Sequence, residues 1–177
     1  MANKKLKLDE LNRVDPETFK QQKKHPITVV LDNVRSGLNV GSFFRTCDAL
    51  AIERIILLGI TPKPPHREIL KSAIGATETV EWIGMETNSE LIEFCKEQGL
   101  PIICVEQTEE SKEIQRVNWE LPCALVFGNE VDGVNDELIT ASYFCAEIPQ
   151  FGTKHSFNVS VCGGVVLWDM IRTLITK

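Results

Sequence analysis

No two cysteines of this chain form a C-x-x-C pair, and its three histidines, His25, His66 and His155, are not at metal-ligand spacing from them. The six cysteines, at 47, 95, 104, 123, 145 and 162, fall mostly inside apolar runs. They read as buried thiols in a reducing, cytoplasmic compartment, with neither a disulfide framework nor a structural metal. No apolar run approaches the ~20 residues that span a bilayer. The start, M-A-N-K-K-L-K-L-D-E, is charged with no apolar segment behind it, so neither a membrane span nor a signal peptide is expected. Also missing are a G-x-G-x-x-G after the first apolar run, a G-x-x-x-x-G-K-[ST] and a G-x-S-x-G. These absences disfavour a standard dinucleotide site, a P-loop and a nucleophile elbow. Lysine and arginine are outnumbered, 19 against 25 acidic residues, for a net charge of -6. That argues against nucleic-acid binding through overall charge and leaves room only for local patches. One such patch is Lys4, Lys5, Lys7, Lys20, Lys23 and Lys24, either a solvated helix face or an arm that meets phosphates.

What is present fits one domain: 177 residues, 43% of them hydrophobic, enough to bury a sizeable core. Residues 8–24 read as a helix, with Leu8, Leu11, Val14 and Phe19 apolar and Pro16 at a first turn. Strand-like runs follow at 27–33, 52–60, 79–85, 101–106, 123–128 and 143–149. Most are continuously apolar, as strands covered on both faces are. Helical patterns at 39–51, 88–99, 135–142 and 156–175 alternate with them, and the Pro-rich 61–66 reads as a loop. Alternation of this kind predicts an α/β domain with a largely parallel sheet. The last helix carries Val161, Val165, Trp168, Ile171 and Ile175 on one stripe and further apolar residues elsewhere. It is expected to lie between the sheet and a second subunit.

Parallel sheets bind ligands at the C-terminal ends of their strands. Three polar junctions stand at such places. The first, D-N-V-R-S-G-L-N-V-G-S-F-F-R-T, runs from Asp32 to Thr46 and contains Asn39, Gly41 and Arg45. The second, L-V-F-G-N-E-V-D-G-V, runs from Leu125 to Val134. The third, E-I-P-Q-F-G-T-K-H-S-F-N-V-S-V, runs from Glu147 to Val161. Free N–H and C=O groups at a strand-to-helix junction can hold a polar ligand without a charged side chain. Taken singly each junction is weak: Asn39 could be an N-cap, and Ser156 to Asn158 could cap the last helix.

In this order the three resemble the motifs of the SpoU-type RNA ribose methyltransferases of the SPOUT superfamily. N-x-G-x-x-x-R-T matches Asn39 to Thr46, L-x-x-G-x-E-x-x-G matches Leu125 to Gly133, and I-P-x-x-G-x-x-x-S-L-N-V-S matches Ile148 to Ser160 with Phe157 in place of leucine. Lys71 to Ala76 and Glu106 to Thr108 also suit the shorter members, and the resemblance spans residues 26–177, leaving 1–25 as an N-terminal extension. It implies a SPOUT α/β knot, a parallel sheet with a deep C-terminal trefoil knot, and a homodimer. It further implies methyl transfer from S-adenosyl-L-methionine to a ribose 2′-hydroxyl of RNA, with no metal. The catalytic group it implies is Arg45, Asn39, Glu130, Ser156 and Asn158; adenine would lie against Glu106, Gly128, Ile148 and Phe157. An acidic chain with only a short basic arm favours transfer RNA over ribosomal RNA, read through shape and single-stranded loops. The alternative is an inactive knotted protein that keeps RNA or cofactor affinity. Cys162, Gly163 and Gly164 replace small alanine-type residues and are expected to admit a close approach across the dimer.

Overall fold

The computed structural model describes residues 3–176, with the side chains of Leu8 and Asp9 outside the described set; the expectation that Leu8 packs on the core therefore lies outside it too. Seven strands form a single parallel sheet: β1 His25–Asp32, β2 Ile52–Leu58, β3 Glu81–Met85, β4 Ile102–Val105, β5 Lys112–Glu113, β6 Cys123–Phe127 and β7 Phe144–Glu147. Their spatial order is β3-β2-β1-β6-β4-β7-β5. The helices are α1 Pro16–Gln21, α2 Gly37–Ala49, α3 Arg67–Ala73, α4 Asn88–Glu97, α5 Asp136–Ala141 and α6 Val159–Ile175.

The continuous apolar runs are explained by period 2. Ile27, Val29 and Leu31 of β1, with Leu125 and Phe127 of β6, join Phe43 and Phe44 of α2 and Leu167 and Met170 of α6 in one core layer. Val30, Val126 and Cys104 point the other way and join Leu91 of α4 and Leu138 of α5. Both faces of every central strand are thus buried, and neither face needs a polar residue. Burial pushes the Cys104 and Cys123 thiols up to about 12, and all six cysteines are free.

Several elements depart from the sequence reading. The helix expected over 8–24 is broken: a 3-10 turn covers Leu8–Leu11, and α1 starts only at Pro16, where the Asp15 carboxylate accepts from the Glu17 and Thr18 N–H groups. The first core helix begins at Gly37 with Ser36 as its cap, so Asn39 is inside the helix rather than at its cap. The last helix begins at Val159, capped by Asn158. Helix α3 was not expected; its seven residues, R-E-I-L-K-S-A, are too few for a clear apolar period and follow a Pro-rich loop.

Helix α6 divides into two faces. Gly163, Val166, Leu167, Met170 and Ile171 are buried, while Val161, Val165, Trp168 and Ile175 are exposed by 38–63%. Ile171 therefore leaves the expected stripe for the core. The close approach at Gly163 is made within the chain: a Cβ there would stand 2.2 Å from the Phe43 ring of α2. Trp119 Nε1 donates to Asp169 Oδ2 at 3.0 Å, fastening the segment before β6 to the same helix.

Candidate active site

The chain runs outward from β1 to β2 and β3, then returns to the other side of β1 to lay down β4 to β7. β1 and β6 are neighbours across that reversal, paired from Ile27 with Cys123 to Leu31 with Phe127. A crevice opens where successive crossovers diverge to opposite sides, and ligands of parallel sheets sit there. The loops after β1, β4, β6 and β7 converge on this end of the molecule.

The loop after β1 turns at Asn33, whose φ of 53° is left-handed. The turn is fixed by its side chain, which donates to Asp32 Oδ1 at 2.7 Å and accepts from the Ile60 N–H at 3.1 Å. Asp32 itself is almost wholly buried, and its second oxygen accepts from the Asn135 N–H at 2.8 Å. Burial raises the Asp32 carboxyl, and the Asn135 and Asn33 donors offset this only in part. The loop after β6 is tied to the same turn by Asn129 Nδ2, which donates to the Asn33 carbonyl at 2.7 Å.

Glu130 joins these loops to α2. Its oxygens accept from the Arg35 N–H at 2.9 Å, the Ser36 N–H at 3.1 Å and Asn39 Nδ2 at 2.9 Å. Partial burial pushes the Glu130 carboxyl up, but these donors together outweigh it and hold it below its ordinary value. The Asn39 amide is thereby oriented with its oxygen outward, where it accepts from Asn158 Nδ2 at 3.1 Å. Asn158 Oδ1 caps α6 through the Ser160 and Val161 N–H groups at 3.0 and 3.3 Å, and accepts from Ser160 Oγ at 2.7 Å. One hydrogen-bonded chain, Glu130 to Asn39 to Asn158, therefore links the three sequence motifs. The sequence reading missed Ser36 and Ser160; both sit in the quoted junctions, but their hydroxyls gave no signal beyond ordinary capping preference.

A cavity of about 650 Å³ lies beside this chain, lined by Glu106, Gly128, Glu130, Ile148, Ser156, Phe157 and Asn158 among others. Apolar Val105, Phe127 and Ala146 line it together with polar Asp136, Glu147 and Gln150. Glu106 uses both oxygens on its own surroundings, accepting from Val134 N–H at 3.0 Å and Gln107 N–H at 2.8 Å. It shapes the turn at Gly133, where φ is +72° and a Cβ would stand 2.3 Å from Glu106 Oε2. At Gly128 a Cβ would stand 2.1 Å from the Gly133 carbonyl carbon, so the two loop strands meet there at backbone contact. The loop after β7 is pinned at the His155 carbonyl, which accepts from Gln107 Nε2 at 3.0 Å and Gln150 Nε2 at 3.3 Å. Ser156 lines the cavity without joining the Glu130–Asn39–Asn158 chain. Arg45 is exposed on α2 and is not a lining residue. Six residues along a helix turn its side chain about 120° away from Asn39. No group of His, Cys, Asp and Glu among the described residues could hold a metal ion.

A doubly covered parallel sheet with a mid-sized cavity at its reversal point defines an α/β protein of the class whose ligands sit at the strand ends. The chain belongs to the SpoU rRNA Methylase family, whose profile matches residues 26–168. It is 32% identical over 152 residues to the 23S rRNA (guanosine-2′-O-)-methyltransferase RlmB of Neisseria meningitidis, covering 86% of this chain and 60% of that protein. It is 31% identical over 169 residues to the tRNA (guanosine(18)-2′-O)-methyltransferase of Aquifex aeolicus, covering 92% of this chain and 75% of that one. The AdoMet-bound rRNA methyltransferase of Sinorhizobium meliloti superposes with a TM-score of 0.80 at 26% identity, over 88% of this chain and 60% of that one. The chain thus spans under two thirds of the Neisseria and Sinorhizobium proteins.

Proposed function

We propose that this protein transfers a methyl group from S-adenosylmethionine to a ribose 2′-hydroxyl of RNA. The observation that carries the reading is the hydrogen-bonded chain from Glu130 through Asn39 to Asn158, set at the mouth of the cavity. The cavity fits the cofactor in kind: about 650 Å³, within the usual range for such ligands, and lined by apolar residues interspersed with polar ones. Gly128, Ile148 and the half-exposed Phe157 would hold adenine, with Glu106 fixing the turn they depend on. The cofactor supplies an electrophilic methyl on a sulfonium. A ribose hydroxyl is a poor nucleophile until its proton leaves, so the protein must polarise or deprotonate it. Arg45 is assigned to that side of the reaction, outside the cofactor cavity. Arginine keeps its charge in proteins, so it acts by orienting the hydroxyl or an adjacent phosphate rather than as a free base. Asn39, Glu130, Ser156 and Asn158 position the acceptor.

The same reading includes a homodimer, whose interface would cover the exposed apolar side chains Val161, Val165, Trp168 and Ile175 of α6. It includes a trefoil knot in the C-terminal segment, in keeping with β7 lying between the earlier strands β4 and β5. It takes residues 26–177 as the catalytic unit, with 1–25 appended. It places the protein in the cytoplasm, consistent with six free thiols, and favours transfer RNA over ribosomal RNA. The test is tritiated-methyl transfer to RNA from cells lacking the gene, run beside calorimetry with S-adenosylhomocysteine. Transfer to ribose supports the enzyme. Binding without transfer makes the protein an inactive relative, and absence of both transfer and binding overturns the reading.

A further inference from the structure

The rims of the cavity differ in charge. From 128 to 137 the chain carries Glu130, Asp132, Asp136 and Glu137 and no cation. The loop after β1 and the start of α3 instead carry Arg35, His66, Arg67 and Lys71, all exposed. No hydrogen bond or ion pair engages the side chains of Arg35, Arg67 or Lys71 among the described residues. Only Glu68 interrupts this group, and its Cβ lies against α2, 2.9 Å from where a Gly37 Cβ would be.

These cations belong to one surface. The Arg35 N–H donates to Glu130, which lines the cavity, so Arg35 stands at the rim. His66 packs on the first residue of α2, its Nδ1 2.8 Å from a Cβ built at Gly37. Helix α3 is drawn against α2: Ser72 Oγ donates to the Leu38 carbonyl at 3.0 Å, and a Cβ at Gly41 would stand 2.4 Å from the Ile69 carbonyl oxygen. Ile69 and Ala73 face inward, which leaves Arg67 and Lys71, one turn apart, facing out. Packed helices lie about 8–10 Å apart. At about 3.4 Å per stacked nucleotide, the step from α2 to α3 spans roughly three nucleotides.

We infer that the outer face of α3, with Arg35 and His66, is the track on which the RNA backbone enters, its phosphates resting on Arg67 and Lys71 within a few nucleotides of the methylated one. The proposal rests on the RNA reading above. In a chain of net charge -6 a polyanion must find a local cationic surface, and the acidic rim excludes it from the other side. The N-terminal lysines are poor competitors for this role, because Lys20, Lys23 and Lys24 line a cleft at the starts of β1, β2 and β3, the far end of the sheet.

The test compares wild type, Arg67→Ala/Lys71→Ala and the distant control Lys20→Ala/Lys23→Ala, using a transfer RNA fraction from cells lacking the gene. The α3 variant should bind this RNA at least tenfold more weakly. Each lost phosphate contact lowers the slope of log affinity against log salt by about 0.7–0.9, so the slope should fall by roughly 1.5 for two. S-adenosylhomocysteine binding should be unchanged, and KM for RNA should rise with kcat within threefold. Unchanged RNA affinity and slope in that variant overturn the proposal while leaving RNA methylation standing. An equal loss in the distant control also overturns it, as a general charge effect. A shift in sedimentation without a change in RNA binding assigns the face to a second copy of the chain instead. Wild type that neither binds nor methylates RNA defeats the RNA reading itself, and the proposal with it.

Discussion

The cleft at the strand starts and the cavity at the strand ends differ little in volume, about 600 against 650 Å³. Their walls differ in kind. The first is lined by Lys20, Lys23, Lys24, Glu53, Glu78 and Glu81, long side chains of both signs held by local contacts such as Lys20 to Glu17. The second is set by atoms fixed from several directions, with Glu130 gripping residues 91 to 95 positions away and Asn158 reaching one 119 positions away. Volume alone does not mark a site. Convergence of oriented groups from separate segments, at the end of the sheet where the crossovers diverge, does so.

The largest test of this contrast is Arg45→Ala. Methyl transfer should fall at least a hundredfold, the lower range for a group acting on a proton in flight, while calorimetric affinity for S-adenosylhomocysteine stays within twofold. Substantial residual turnover, or a large loss of binding, would remove Arg45 from the acceptor side. Gly133→Ala should come next. It forces a Cβ onto a left-handed residue against Glu106 and is expected to weaken S-adenosylhomocysteine at least tenfold. Full affinity would show that this turn does not shape the cofactor wall.

Asn158→Ala removes a helix cap and the link to Asn39 together. Chemical denaturation should show a loss of about 0.5–2 kcal/mol for the cap, accompanied by a fall in kcat. Loss of stability with unchanged kcat would reduce Asn158 to a cap. A pH test follows from Glu130, whose carboxyl is held below its ordinary 4.5 in the folded protein. Its stabilising contribution is fully present above that ordinary value and is lost as pH falls through the lowered folded value. Glu130→Gln should therefore flatten the acid limb of the stability curve and leave the neutral region nearly parallel to wild type. The smallest effect is expected from deleting residues 3–24: a lower melting temperature, because Phe19 is buried, with cofactor binding and the salt slope of RNA binding unchanged. A flattened slope there would return the N-terminal lysines to the RNA surface.

The α/β architecture was legible because buried parallel strands leave long apolar runs, and six of the seven strands were placed within a few residues. β5 was not, since the two residues Lys112 and Glu113 carry no pattern. Of the site, the identities of Asn39, Glu130 and Asn158 were legible, but their mutual contacts were not. Those contacts depend on the left-handed turn at Asn33 and on β1 and β6 becoming neighbours, neither of which leaves a periodic trace. Arg45 shows the opposite risk. It shares a motif with Asn39, yet helical geometry points the two side chains in different directions, so the motif alone does not tell what Arg45 touches.

The hydrogen bond between Asn39 and Asn158 closes a loop of 119 residues. All seven strands precede the segment that completes it, and α6 contributes Val166, Leu167 and Met170 to the core. The chain is made from its N-terminus, so this contact can form only after every strand has been synthesised. A growing chain that already holds every strand has Glu130 to orient Asn39 but still lacks the Asn158 amide that donates to it. A product that stops after β7 but before Asn158 therefore holds every strand of the sheet but lacks the link from Asn39 to the cap of α6.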